Sequence, residues 1–155
     1  MSKPGDGVQV VMKPTVTEMN RHLGALRKDL AAQKTAYTKA SIFLDRWVQK
    51  NFKSEGGSVG GWPPLQAGGR HKKGKGLDTS AKVLQDTGRG RASYKPFATR
   101  TDAGIGSDVP YMKKHEEGDG VPKRRTLPVK KEVWPTILKI FNKHVEDALK
   151  KVKLR

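Results

Sequence analysis

From Val16 onward, Met19, Leu23, Leu26, Leu30, Tyr37, Ala40, Leu44 and Trp47 recur at steps of three and four, with one step of seven where Gln33 interrupts. That is the spacing of one helical face. Thr15 and Glu18 stand at capping-box spacing at its start. The stripe is narrow at first, like a coiled-coil seam, and widens from Ala36 as Ile42, Phe43, Val48 and Phe52 join it. An unbroken helix from Val16 to Asn51 would run about 54 Å at 1.5 Å per residue, longer than a domain of this size is wide. Met19, Leu23, Leu26 and Leu30 would then need cover from outside the compact body, such as a neighbouring subunit. The other arrangement is two helices hinged between Gln33 and Thr38.

The remaining pattern predicts smaller pieces. A β-prone Val8–Met12 lies in an N-terminal arm, residues 1–14. Residues 54–81 form a long Gly/Pro-rich basic loop in which Trp62 and Leu65 are the large apolar anchors. Lys82 to Asp86 reads as a short helical turn ended by Thr87-Gly88. Two strands, RASYKPFATR and AGIGS, flank a turn at Thr101–Gly104, and Pro96 marks the first as an edge or bulged strand. Pro110 opens a short helix that Gly118 stops, with Tyr111 and His115 on one face. VPKRRTLP reads as an extended basic strand or turn. A broad stripe from Val133 to Val152 predicts a final amphipathic helix, in which Pro135 is acceptable only in the first turn or at a kink after Val133. The fold class expected is α+β: a long N-terminal helix and a C-terminal helix packed on a small antiparallel hairpin, in one domain over residues 1–155.

Charge changes this picture most. The chain has 32 lysines and arginines against 15 acids, a formal net charge of +17. Such an excess attracts polyanions, with nucleic acid and acidic protein neighbours as equal candidates. With 34% hydrophobic residues the core is thin, so part of the chain is expected to order against neighbours. There is no cysteine, which excludes disulfides and thiolate metal sites. No stretch has signal-peptide or membrane-spanning character, so the chain reads as soluble with no membrane partner.

Catalytic chemistry finds little support. Asp86-Thr87-Gly88 lacks the apolar β surroundings and second aspartate of an aspartic protease, and GGRHKKGKGLD lacks the spacing of a phosphate loop. His22, His71, His115 and His144 are dispersed, with no metal-ligand pattern. The chain reads as a non-enzyme without cofactor or metal.

Five stretches in order, NFKSEGG (from Asn51), GWPPL (from Gly61), VLQDTGRGRAS (from Val83), GIGSDVPYMKKHEEG (from Gly104) and VPKRRTL (from Val121), resemble the virion-morphogenesis, tail-completion family of tailed bacteriophages. The matching positions are Phe52, Trp62, Leu65, Leu84, Thr87, Gly88, Ser93, Pro110, Tyr111, His115 and Gly118. Gly90 and Met112 depart from it, standing where the family has leucine and alanine. The resemblance implies a structural virion protein: a homo-oligomeric neck ring, hexameric in preference to dodecameric, for tail completion or termination. Its implied partners are portal or adaptor proteins, tail-tube proteins and packaged double-stranded DNA held by non-specific electrostatics. Arg70, Lys72, Lys73, Lys75, Arg124 and Arg125 are the cations expected at the channel or an interface, and Met19, Leu23, Leu26 and Leu30 those expected between subunits. The alternative is a non-enzymatic basic protein that binds nucleic acid in the host cell.

Overall fold

A computed structural model describes residues 16–65 and 82–151. The arm at 1–14 and the loop cations Arg70, Lys72, Lys73 and Lys75 lie outside the described residues. The fold is α+β. It comprises helices α1 (Val16–Ala31), α2 (Lys34–Lys53), α3 (Arg89–Ala92), α4 (Pro110–Glu117) and α5 (Lys130–Lys151), and the antiparallel strands β1 (Tyr94–Ala98) and β2 (Ala103–Ser107). The described chain divides into two compact units, one of α1 with the end of α5 from Asn142, the other running from Gln33 to Phe141.

The N-terminal stripe is carried by two helices, not one. At the end of α1 the Ala32 amide is shared between the carbonyls of Lys28 (3.1 Å) and Asp29 (3.2 Å), a tightened last turn. Gln33 stays right-handed, at φ −64° and ψ −14°, and its carbonyl receives the Tyr37 amide at 3.0 Å to start α2. The break therefore falls at the residue where the apolar stripe is interrupted.

In the second unit, α2 buries Ala36, Ala40, Ser41, Leu44, Val48, Asn51 and Phe52 on one face. Its C-terminal half packs with the hairpin and α4 in a core of Val48, Phe52, Trp62, Val83, Tyr94, Val109 and Met112. Phe52 is the hub: Trp62 meets it edge-on with centroids 5.2 Å apart, and Tyr94 lies 5.7 Å away. After α2 the chain reverses through Glu55 and Gly56, both at positive φ, and the Gly56 amide bonds the Asn51 carbonyl at 2.9 Å. A Cβ on Gly56 would stand 2.3 Å from Trp62 Cδ1, so only glycine admits the indole there.

The segment Lys82 to Asp86 is a turn and not a helix, with the Gln85 amide on the Lys82 carbonyl at 3.2 Å. Leu84 takes φ +60°, a costly conformation for a side-chain-bearing residue, while its side chain packs against the core. Gly88 (φ +70°) caps α3, a single turn that separates the Asp-Thr-Gly corner from the strand, which begins at Tyr94.

The hairpin turn sits two residues earlier than its sequence implies. Thr99 and Asp102 close it, their backbones bonded at 2.8 Å and the Thr99 hydroxyl accepting the Asp102 amide at 2.9 Å. That pair sets the register Phe97↔Gly104, Pro96↔Ile105 and Lys95↔Gly106. Alternation then aims the Pro96 nitrogen away from β2, so the proline costs no ladder bond. A Cβ on Gly104 would lie 2.4 Å from Phe97 Cζ: the exposed ring lies across the bare backbone.

Helix α5 starts at Lys130, ahead of Trp134, and runs on through Pro135. The ladder bond lost is the one to the carbonyl of Lys131, an exposed residue.

Candidate functional site

Pro110 has a fixed φ suited to the first helical position and starts α4, and Gly118 at φ +81° ends it with its amide on the Lys114 carbonyl at 2.7 Å. This places His115 and Glu116 against the following segment, a strap from Val121 to Pro128 without regular secondary structure. The strap is where the polar groups of the second unit converge. Asn51 Nδ2 donates to the carbonyls of Arg125 (3.1 Å) and Thr126 (3.4 Å), and Trp62 Nε1 donates to the Arg125 carbonyl at 2.8 Å. Glu116 Oε2 accepts three bonds from the other side: Thr126 amide (2.6 Å), Thr126 hydroxyl (2.7 Å) and Leu127 amide (3.2 Å). Since the Thr126 hydroxyl donates to that carboxylate, its oxygen accepts from the Tyr94 hydroxyl.

Thr126 is 0% exposed, so each of these bonds replaces water that cannot reach it. Burial pushes the Tyr94 phenol up to about 12, outweighing the hydrogen bond to Thr126, which acts the other way. Burial likewise lowers His115, with the Pro122 carbonyl 3.4 Å from Nδ1 opposing and the Arg124 charge adding to the shift. Burial therefore favours the neutral form of His115.

Arg124 leaves the set of expected surface cations. It is 5% exposed, and Nε and a terminal nitrogen donate to the carbonyls of Pro63 and Pro64, each at 3.0 Å. Its backbone amide bonds the His115 carbonyl at 2.7 Å, and burial lowers its pKa. It clamps the Trp62 segment to the strap. Arg125 is half-buried and paired with Glu132 at the entrance to α5.

The other motif residues serve the same frame. Phe52 and Trp62 are core, and Leu65 and Leu84 pack against it. The Thr87 hydroxyl accepts the Arg89 amide at 3.3 Å beside Gly88. Ser93 donates to the Gly90 carbonyl at 2.7 Å and accepts from Ser107, whose oxygen in turn accepts the Val109 amide at 3.1 Å. Tyr111 is exposed, and the neighbour buried in its place is Met112: a Cβ on Gly90 would approach Met112 Sδ to 2.7 Å and the Tyr111 hydroxyl to 3.2 Å. The missing side chain at 90 makes room for the long one at 112.

Sequence reasoning missed Asn51, Tyr94, Glu116 and Thr126. Glu116, followed by Glu117, Gly118, Asp119 and Gly120, carries no pattern that marks it as an acceptor for strap amides. On α1, Met19 and Leu23 are exposed and Leu26 half-buried, while the Leu30 side chain lies outside the described residues. Among the described residues no three His, Asp or Glu side chains group as metal ligands, and no helix is long and apolar enough to cross a membrane.

No protein-family model and no solved structure matches the chain. The curated Intraflagellar transport protein 22 of Chlamydomonas reinhardtii is 34% identical over 68 residues, 44% of this chain and 33% of that protein. The chain thus spans about a third of the length of the curated relative it matches. This similarity to a eukaryotic intraflagellar transport protein overturns the phage tail-completion assignment, and with it the neck-ring function and the virion location.

Proposed function

We propose that the chain is a non-enzymatic assembly module that associates with further copies of itself through apolar helix faces. The supporting observation is a set of large apolar side chains left in solvent at four-residue spacing on regular helices. Trp134 and Leu138 do so in the second unit, and Met19 with Leu23, and Val145 with Leu149, in the first; each is between 41 and 57% exposed. Residues four apart share a helix face, and such pairs are the material of helix–helix interfaces. Tyr94, Thr126 and Glu116, which bring hydroxyls and a carboxylate together, are committed to holding the strap.

The net charge of +17 opposes contact between copies. Salt screens that repulsion and strengthens apolar burial, so self-association should grow with ionic strength. Light scattering across a concentration series at low and high salt tests this. Oligomers that increase with salt, and are lost in Leu138→Glu combined with Leu149→Glu, are expected; a monomer under every condition overturns the reading. The match to a protein named for intraflagellar transport favours a second reading, in which the same faces meet a different chain.

A further inference from the structure

The solvent face of α2 carries cations that the assembly reading does not use. At 100° per residue, Lys39, Arg46, Lys50 and Lys53 fall within about 60° of one another, opposite the buried face. All four are exposed. The row from Lys39 to Lys53 extends about 21 Å at 1.5 Å per residue. Arg91 joins it from α3, where its Nε donates to Gln49 Oε1 at 2.6 Å. Core packing of the opposite face holds the row on a rigid element.

The acids nearby are engaged elsewhere. Asp45 accepts from Gln49 Nε2 at 3.4 Å, and Glu55 accepts the Val83 amide at 2.8 Å. Lys95, Lys113, Arg125, Lys143 and Lys151 each have a carboxylate within ion-pair distance. Among the described residues, Lys39, Arg46, Lys50, Lys53 and Arg91 do not. The helix dipole eases only Lys50 and Lys53 in the last turn. Like charges held this close on a stiff support repel until an anion meets them.

We propose that this face binds the phosphate backbone of duplex nucleic acid without reading its sequence. A duplex carries about one charge per 1.7 Å of axis, so a 21 Å row faces about twelve phosphates, several of them within reach of lysine and arginine stems. Gln49, the side chain here able to read a base edge, is bound to Arg91 and Asp45. An acidic protein fits less well: Ile42 is the lone exposed apolar residue beside the row, whereas stable protein interfaces bury about 1,200 Å² or more around an apolar centre. A membrane surface fits less well again, because the apolar face of α2 is already spent on the core.

The test uses the full chain and a labelled random-sequence duplex, with affinity measured across a salt series. Replacing Lys39, Arg46, Lys50 and Lys53 together by Gln should flatten the slope of log affinity against log salt by about 3 to 4, at about 0.9 per lost phosphate contact. Replacing Lys114, Lys131, Lys139 and Lys150 by Gln removes the same charge from other exposed sites and should flatten it by less than about 1. Thermal melts close to that of the parent, and retained binding when the three lysines of the row become Arg, exclude misfolding as the cause. Equal losses in both sets, or no loss in the first, overturn the proposal; so does tighter binding of polyglutamate than of duplex at matched salt, which would assign the face to an acidic protein. Because self-association should rise with salt while this binding falls, failure of either leaves the other readable.

Discussion

Two regions use their polar groups in opposite ways. Between Pro122 and Leu127, backbone and side chains are met by Asn51, Trp62 and Tyr94, far away in sequence, and by His115 and Glu116 from the preceding helix. In the unit of α1 and the end of α5, the ion pairs among the described residues are Lys143–Asp147 at 3.8 Å, with side chains 69% and 42% exposed, and Lys151–Asp29 at 3.9 Å, with side chains 72% and 37% exposed. The first region excludes water, so its bonds have no solvent to replace them; the ion pairs of the second are exposed and compete with solvent. Cooperative stability should therefore reside in the strap and its clasp, and the unit of α1 and the end of α5 should gain order from what it touches.

The sharpest way to break this comparison is Glu116→Ala. It strands three donors, two of them on the fully buried Thr126, and should cost about 3 kcal/mol in urea unfolding, with Glu116→Gln recovering part of it. A loss no larger than at an exposed acid would show that the strap is held by apolar packing alone.

Alkaline pH probes the same clasp. The fold keeps the Tyr94 phenol neutral, its pKa raised from 10.0 to about 12, so its contribution is complete below pH 10.0 and is lost as pH rises through about 12. The stability at stake is about 2 to 3 kcal/mol. Tyr94→Phe should remove this alkaline decline, while costing a hydrogen bond at neutral pH; a parent and a variant that decline alike would place the alkaline weakness elsewhere.

The smallest effect belongs to the unit of α1 and the end of α5. Lys151→Ala should change unfolding free energy by less than about 0.5 kcal/mol, because an exposed pair at that distance is heavily screened. A loss comparable to that at Glu116 would erase the distinction between the regions.

The sequence made regular elements legible where a period or a punctuating residue carried them. The hairpin, α4 between Pro110 and Gly118, and α5 follow from alternation, proline and glycine, and helical spacing. The strap was not legible. Lys123-Arg124-Arg125-Thr126 reads as an extended basic strand or turn with its arginines at a channel or interface, yet Arg124 and Thr126 are buried, Arg124 against the distant carbonyls of Pro63 and Pro64 and Thr126 against Glu116 and Tyr94. No local pattern announces a carbonyl sixty residues away. The break before α2 was legible as one of two arrangements, since Gln33 interrupts the stripe without a proline or glycine to force a stop. The exchange of volume between Gly90 and Met112 needs a spatial neighbour that spacing alone does not reveal.

Pro96 has a bearing on how this chain behaves in crowded solution. With no hydrogen on its nitrogen, the outward rim of β1 lacks a donor midway along its length. A foreign strand sliding along that rim finds an interrupted template, so accretion into larger sheets is discouraged there and encounters are steered toward the helical surfaces.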